Sequence, residues 1–377
     1  MKEIQKPVVF SLITENAQLV EVCEQARQQQ VVALDTEFVR TRSYFPKLGL
    51  IQLYDGQCVS LIDPLTISDF APFVELLADA NVLKVLHACS EDLEVFQHAF
   101  GQLPQPMRDT QVMAAFLGFP QSTGLATLAK HYFQLELDKN SARTDWIARP
   151  LSDKQLRYAA DDVCYLLPLY QRLNDALNQT NWQQAVAFDC ALFEEKRQRL
   201  KPADKAYRQI GNAWRLEPRE LARLQLLAKW RQEEAIKRDL ALNFVVQAEN
   251  LWAIAKYNPK HTSQLIELGL STQEVRIHGK KLLQLVEQAN RLPEADCPPK
   301  IEQLNTDPRY KQTLKALKNR LESLCPADLK PELIASRRDL DRFIRWVWIK
   351  QCDPNSLPSL MRGWREKFGQ ELLTILQ

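Results

Sequence analysis

Val31-Val32-Ala33-Leu34-Asp35-Thr36-Glu37-Phe38 is a short apolar run that ends on two acids. Residues two apart on a strand point to the same face, so Asp35 and Glu37 aim together at one point. Two carboxylates side by side in a protein interior are strongly unfavourable unless something positive lies between them. A divalent cation is the economical answer. Further along come Leu50-Ile51-Gln52-Leu53-Tyr54, an Asp55-Gly56 turn signal and Val59-Ser60-Leu61-Ile62. That pattern predicts two more strands across a tight turn, an antiparallel hairpin. Val82 to Leu86 reads as a fourth strand, and Ser68 to Leu77 as a helix with Ser68 as its N-cap.

After Leu86 the spacing turns helical. His87-Ala88-Cys89-Ser90-Glu91-Asp92 is a strand-to-helix turn with Asp92 in the first helical turn. An acid there has an ordinary use, the favourable helix dipole. Helices follow over Gln111 to Leu117, Leu125 to Tyr132 and about Asp153 to Leu177. On the last of these, Tyr158 and Asp162 are four apart and share a face, while Asp161 points about a quarter turn away. A solvated helix face is the better explanation of that pair in isolation. Strands first, then strand–helix alternation, predict a mixed sheet with helices packed on it over residues 1–200.

Beyond Arg197 the strand signals vanish. Residues 206–290 read as four or five amphipathic helices, Pro293, Pro298 and Pro299 as a linker, and 298–377 as a second helical block. The blocks look like distant copies: Leu224 and Leu314 are 90 apart, as are Gly279 and Gly369. The segment from Lys196 to Leu240 carries 13 Lys and Arg against six Asp and Glu. Its local net of +7, against +2 for all 377 residues, leaves the remainder at −5. A basic segment beside a more acidic one is the footprint of a chain that handles nucleic acid. The eight cysteines form no C-x-x-C pair and fit neither a zinc ribbon nor a disulfide framework. Reduced thiols in a cytoplasmic protein are expected. Met1 to Pro7 has no apolar stretch, so no secretory leader is expected, and no run is long enough for a membrane span.

Taken together, a strand D-x-E, an acid at a later strand–helix turn and a downstream Y-x-x-x-D resemble the motif set of the DEDD exonucleases, in the branch with Tyr in the third motif. The likeness is greatest to the ribonuclease D family. It extends to Leu34-Asp35-Thr36-Glu37-Phe38, Gly49-Leu50-Ile51-Gln52-Leu53, Leu86-His87-Ala88, Asp92-Leu93, Arg143-Thr144-Asp145-Trp146 and Tyr158-Ala159-Ala160-Asp161-Asp162. The C-terminal blocks resemble that family's two HRDC domains. The resemblance implies a ribonuclease H-like α/β exonuclease domain (1–200) followed by two all-α HRDC-like domains (206–290 and 298–377). It implies 3′→5′ hydrolysis of RNA, tRNA precursors included, with release of nucleoside 5′-monophosphates. Asp35, Glu37, Asp92 and Asp162 would hold two divalent ions, and Tyr158 would orient the attacking water. Hard oxygen ligands suit Mg²⁺ or Mn²⁺. Thr36, Phe38, Leu86, His87 and Arg143 are the candidates for gripping the terminal nucleotide, with core packing an equal alternative for Phe38 and Leu86. Asp162 rather than Asp161 fits the family register. The chain is expected to work as a monomer.

Three rival readings can be weighed on sequence alone. A DNA 3′→5′ exonuclease shares the acids, but no polymerase or helicase motif and no G-x-x-x-x-G-K-[ST] occurs. A non-catalytic RNA-binding scaffold would be signed by a lost acid, and none is lost. A small-molecule α/β enzyme would call for a Gly-rich phosphate loop, and the chain has only ten glycines.

Overall fold

A computed structural model describes residues 8–137, 144–198 and 202–376. These divide into two compact units. The first gathers Met1–Val39, Pro46–Gln198 and Asp307–Gln377; the second gathers Arg40–Phe45 and Arg199–Thr306.

The first unit opens with β1 (Phe10–Ile13), α1 (Asn16–Arg27), β2 (Val31–Val39), β3 (Lys47–Tyr54) and β4 (Val59–Ile62). Then come α2 (Ala71–Ala78), β5 (Leu83–Leu86), α3 (Asp92–Phe100), β6 (Met107–Asp109), α4 (Thr110–Phe116) and α5 (Leu125–Phe133). Among the described residues the sheet has the order β1-β4-β3-β2-β5-β6. The β2–β3 and β3–β4 pairings are antiparallel, and the other three are parallel. The sheet is therefore mixed, as the strand pattern predicts. β2 lies near its centre, which is why its N-terminal half is continuously apolar rather than alternating. The register slips between Glu37 and Phe38, and such a bulge bends a strand and re-aims its side chains.

Three local readings are corrected. Ser68 does not cap α2, whose N-cap is Phe70; the Ser68 hydroxyl instead accepts a bond from Asn16 Nδ2 at 2.9 Å. The edge strands β1 and β6 were not read in the sequence, being four and three residues long. The long helix is two, α6 (Asp153–Cys164) and α7 (Leu166–Leu177). Pro168 explains the break: it has no N–H to give, and its ring clashes with the carbonyl four residues back, at Cys164. α6 starts on a capping box in which Ser152 and Gln155 satisfy each other's backbone. It then packs on β2, β3 and β4, burying Ala159, Ala160 and Val163 in one layer with Ala33, Leu50, Leu61 and Trp146.

The chain continues through α8 (Gln183–Gln198) into the second unit: α9 (Pro218–Arg238), α10 (Leu242–Val245), α11 (Ala248–Tyr257), α12 (Thr262–Glu267) and α13 (Thr272–Asn290). Its core holds Leu221, Leu224, Leu227, Leu251, Ile254, Leu282 and Val286. Part of the basic run is committed inside this unit. Arg219 Nη1 donates to the carbonyl of Ala289 at 3.0 Å, Arg223 to Asn290 Oδ1 at 3.2 Å, and Arg231 to the carbonyl of Val246 at 3.1 Å.

The last block, α14 (Tyr310–Leu324), α15 (Pro331–Ile334), α16 (Arg337–Trp348) and α17 (Glu366–Leu373), belongs to the first unit. It is clasped to α8 by Arg365, whose guanidinium donates twice to the Asp189 carboxylate, at 2.5 and 2.7 Å. Trp364 Nε1 donates to Asp189 as well, and its ring meets Phe116 and Trp182 at 5.3 and 5.8 Å.

Candidate active site

β2 carries Asp35 and Glu37, and Asp92 is the first residue of α3, just past the end of the neighbouring β5. α6 lays Tyr158 and Asp162 over the same face of the sheet. The four acids converge. Burial raises the Asp35 carboxyl well above the ordinary range, and the negative charges of Asp92, Asp162 and Glu37 push it further. Burial, then Asp162 and Asp92, take Glu37 up to about 9. Asp162 reaches about 7, chiefly by burial and in spite of a hydrogen bond from Tyr158. Asp92 reaches only about 6: burial raises it, but bonds from the Thr36 hydroxyl and backbone hold it down. The Thr36 Oγ1–H to Asp92 Oδ1 distance is 2.5 Å.

The charges that raise Asp35 and Glu37 are those of Asp92 and Asp162, joined on Asp35 by Glu37. The donor set is all carboxylate oxygen, which suits a hard divalent cation, and such a cation would supply the positive charge the cluster lacks. Among the described residues no group of three or more His, Cys, Asp or Glu side chains is arranged so that it could hold a metal ion as it stands.

A cleft of about 300 Å³ is lined by Asp35, His87, Tyr158 and Asp162 together with Gly124–Thr127, Leu137 and Leu166. Burial and the charges of Asp162 and Glu37 raise the Tyr158 hydroxyl, so it stays protonated and donates to Asp162. Asp161 does not line the cleft. Of the remaining candidates, Thr36 is buried against Asp92 and Leu86 is in the core. Phe38 is half-buried on β2. His87 faces the cleft and its Nδ1 pairs with Thr110 Oγ1 at 2.8 Å. Arg143 lies outside the described residues.

Sequence reading missed the residue that holds the motif-bearing turn. Asp109 is buried, and its carboxylate accepts from the amides of Ala88 (3.1 Å), Cys89 (2.9 Å), Gln111 (2.7 Å) and Val112 (3.4 Å). It thereby caps α4 and fixes the turn after His87, where Ala88 sits at φ 55°. An Asp-Thr pair just before a helix was the available signal. The α5 start at Gly124 was readable as an element but not as a cleft wall.

Residues 10–178 match the family model for 3′-5′ exonuclease, 220–286 that for the HRDC domain, and 308–373 that for the ribonuclease D C-terminal HRDC domain. The chain is 54% identical to a ribonuclease D from Haemophilus influenzae, over 100% of this chain and 95% of that one. It is 46% identical to ribonuclease D of Escherichia coli K12, over 98% of each chain. The crystal structure of Escherichia coli RNase D, described there as an exoribonuclease involved in structured RNA processing, superposes with a TM-score of 0.94 over 98% of both chains.

Proposed function

Because the chain belongs to the ribonuclease D family and is a 3′→5′ exoribonuclease, we propose that it trims the 3′ ends of structured RNAs, tRNA precursors among them, and releases nucleoside 5′-monophosphates. The observation that carries the mechanism is the convergence of Asp35, Glu37, Asp92 and Asp162, with Asp35 and Glu37 raised by the charges of the other acids. Two Mg²⁺ or Mn²⁺ ions held by Asp35, Glu37, Asp92 and Asp162 would supply an activated water and neutralise charge on the leaving oxygen.

The chain's own residues do the rest. Thr36 fixes the Asp92 carboxylate. Tyr158 keeps its proton at neutral pH, so it orients the attacking water by a hydrogen bond rather than acting as the base. His87 and the α5 start line the space for the terminal nucleotide, with Phe38 and Leu86 beside them and Arg143 proposed for a phosphate. Remaining surface Lys and Arg of residues 196–240 would follow the RNA backbone without reading sequence. We further read the protein as a cytoplasmic monomer. The cysteines of the described residues are all free. Among those residues no helix is long and apolar enough to cross a membrane.

The test is incubation with a tRNA bearing a 3′ extension, in Mg²⁺, Mn²⁺ or EDTA, with identification of the product. Stepwise loss of 5′-monophosphates that EDTA abolishes is expected. Internal cuts, or activity that survives EDTA, would sink the reading; equal activity on a matched DNA tail would remove its RNA preference.

A further inference from the structure

Gln52 lies within β3 and is fully buried. Neither its amide nitrogen nor its amide oxygen has a hydrogen-bond partner. Buried amides are nearly always paired, because an unpaired one has given up water without return. An apolar side chain of the same length would suit this layer better, so packing does not account for the amide.

Its position does. The strand register sets Gln52 directly across from Asp35 on β2, with Leu61 of β4 on its other side. Opposite residues of an antiparallel pair project to one face with Cβ atoms about 4.5–5.5 Å apart, within reach of a glutamine amide. α6, which brings Tyr158 and Asp162, closes that face. The Asp35 carboxylate takes a hydrogen bond from the Thr36 backbone and stands in the field of Asp92, Asp162 and Glu37. A second leftover group lies in the same buried layer: Trp146 Nε1–H has no partner either, and its ring packs on Tyr158 at 6.1 Å.

We propose that Gln52 is a positioning residue: its amide N–H, unpaired in this structure, donates to the Asp35 carboxylate when the cation is bound and fixes the rotamer in which Asp35 turns to Asp92, Asp162 and that cation. The proposal rests on the reading of the four acids as a cation site. It explains why the Gly49-Leu50-Ile51-Gln52-Leu53 stretch carries one polar side chain in an otherwise apolar strand core.

The test uses the full-length protein. Gln52→Met keeps length and volume and removes both polar atoms; Gln52→Leu is the second variant and Asp35→Asn the control. Mn²⁺ alone, without RNA, is titrated calorimetrically, the unfolding temperature is taken in EDTA, and kcat and KM are measured on a 3′-extended RNA. Gln52→Met is expected to unfold in EDTA at the wild-type temperature or above, since no paired group is lost. It should bind Mn²⁺ about tenfold or more weakly, the usual consequence of removing a group that orients a ligand, and lose kcat with little change in KM for RNA. Wild-type Mn²⁺ affinity in a folded Gln52→Met or Gln52→Leu overturns the proposal. So does failure of both variants to fold, which would assign the amide to folding. If Asp35→Asn also binds Mn²⁺ as the wild type does, the cation-site reading falls first; if it does not, Gln52 alone is refuted.

Discussion

The first unit buries aspartates in two ways. Asp189 is met by the two-pronged guanidinium of Arg365 and by Trp364. Asp63 is met by Arg149, at 2.7 and 2.8 Å, and by the Leu65 amide. Asp109 receives four amides. Burial alone would raise the Asp63 carboxyl, but the Arg149 and Leu65 bonds outweigh it and hold it below the usual range. The four acids of the site, Glu37 and Asp92 buried and Asp35 and Asp162 half-buried, face one another's charge instead. The same residue type thus appears once as a finished joint and once as an unfinished one, and the unfinished one marks where an external charge belongs.

Removing one charged group should act oppositely in the two places. Asp35→Asn is expected to lower the rate on a 3′-extended RNA by about 10³-fold, on the order of deleting a preorganised charge from an active site. In EDTA at high pH, where the acids are driven to ionise together, its unfolding temperature should exceed the wild type's, because one of the repelling carboxylates is gone. A variant less stable than wild type under those conditions would break the comparison. At the joint, Arg365→Ala strands Asp189, and urea unfolding should show a loss of about 3–5 kcal/mol. Both side chains there are only 11% exposed, so solvent does little to screen the pair. A loss below about 1 kcal/mol would place this clasp among ordinary surface pairs.

The pH dependence sharpens the contrast further. A carboxyl raised in the folded state favours folding fully below its unfolded value, about pH 4, and loses that contribution as pH rises. For Asp92, Asp162 and Glu37 the loss runs through about 6, 7 and 9. In EDTA, stability should therefore fall from pH 5 to 9, by about 1.4 kcal/mol per pH unit for each proton involved. Asp63, held low, does the reverse: its contribution is present above the ordinary carboxylate range and is lost only in acid. With Mn²⁺ the slope should flatten, and calorimetry in two buffers should show proton release at pH 7. A flat profile in EDTA would mean the acids are compensated after all. The smallest effect expected is that of Ser152→Ala. Losing this cap should cost about 1 kcal/mol and speed hydrogen exchange in the first turn of α6.

Much of this was legible beforehand because it is local. The apolar run into Asp35 and Glu37, the hairpin around Asp55-Gly56 and the four-residue step from Tyr158 to Asp162 each follow from a short-range period. The failures have physical causes. β1 and β6 are too short to show a period. The break between α6 and α7 was signalled by Pro168 and passed over. The attachment of the last block depends on residues 176 positions apart, Asp189 and Arg365, which no local pattern connects. Gln52 stood inside a quoted motif, yet only the register shows that it faces Asp35.

The seat of the C-terminal block has a consequence for inheritance. Phe116 and Trp182 rest on Trp364 from that block, so a nonsense allele stopping in the proline-rich linker would uncover aromatic surface on the catalytic body. Such surface is an aggregation and degradation signal. Loss of the block would therefore act through the stability of the catalytic body, even though every acid of the site is still encoded.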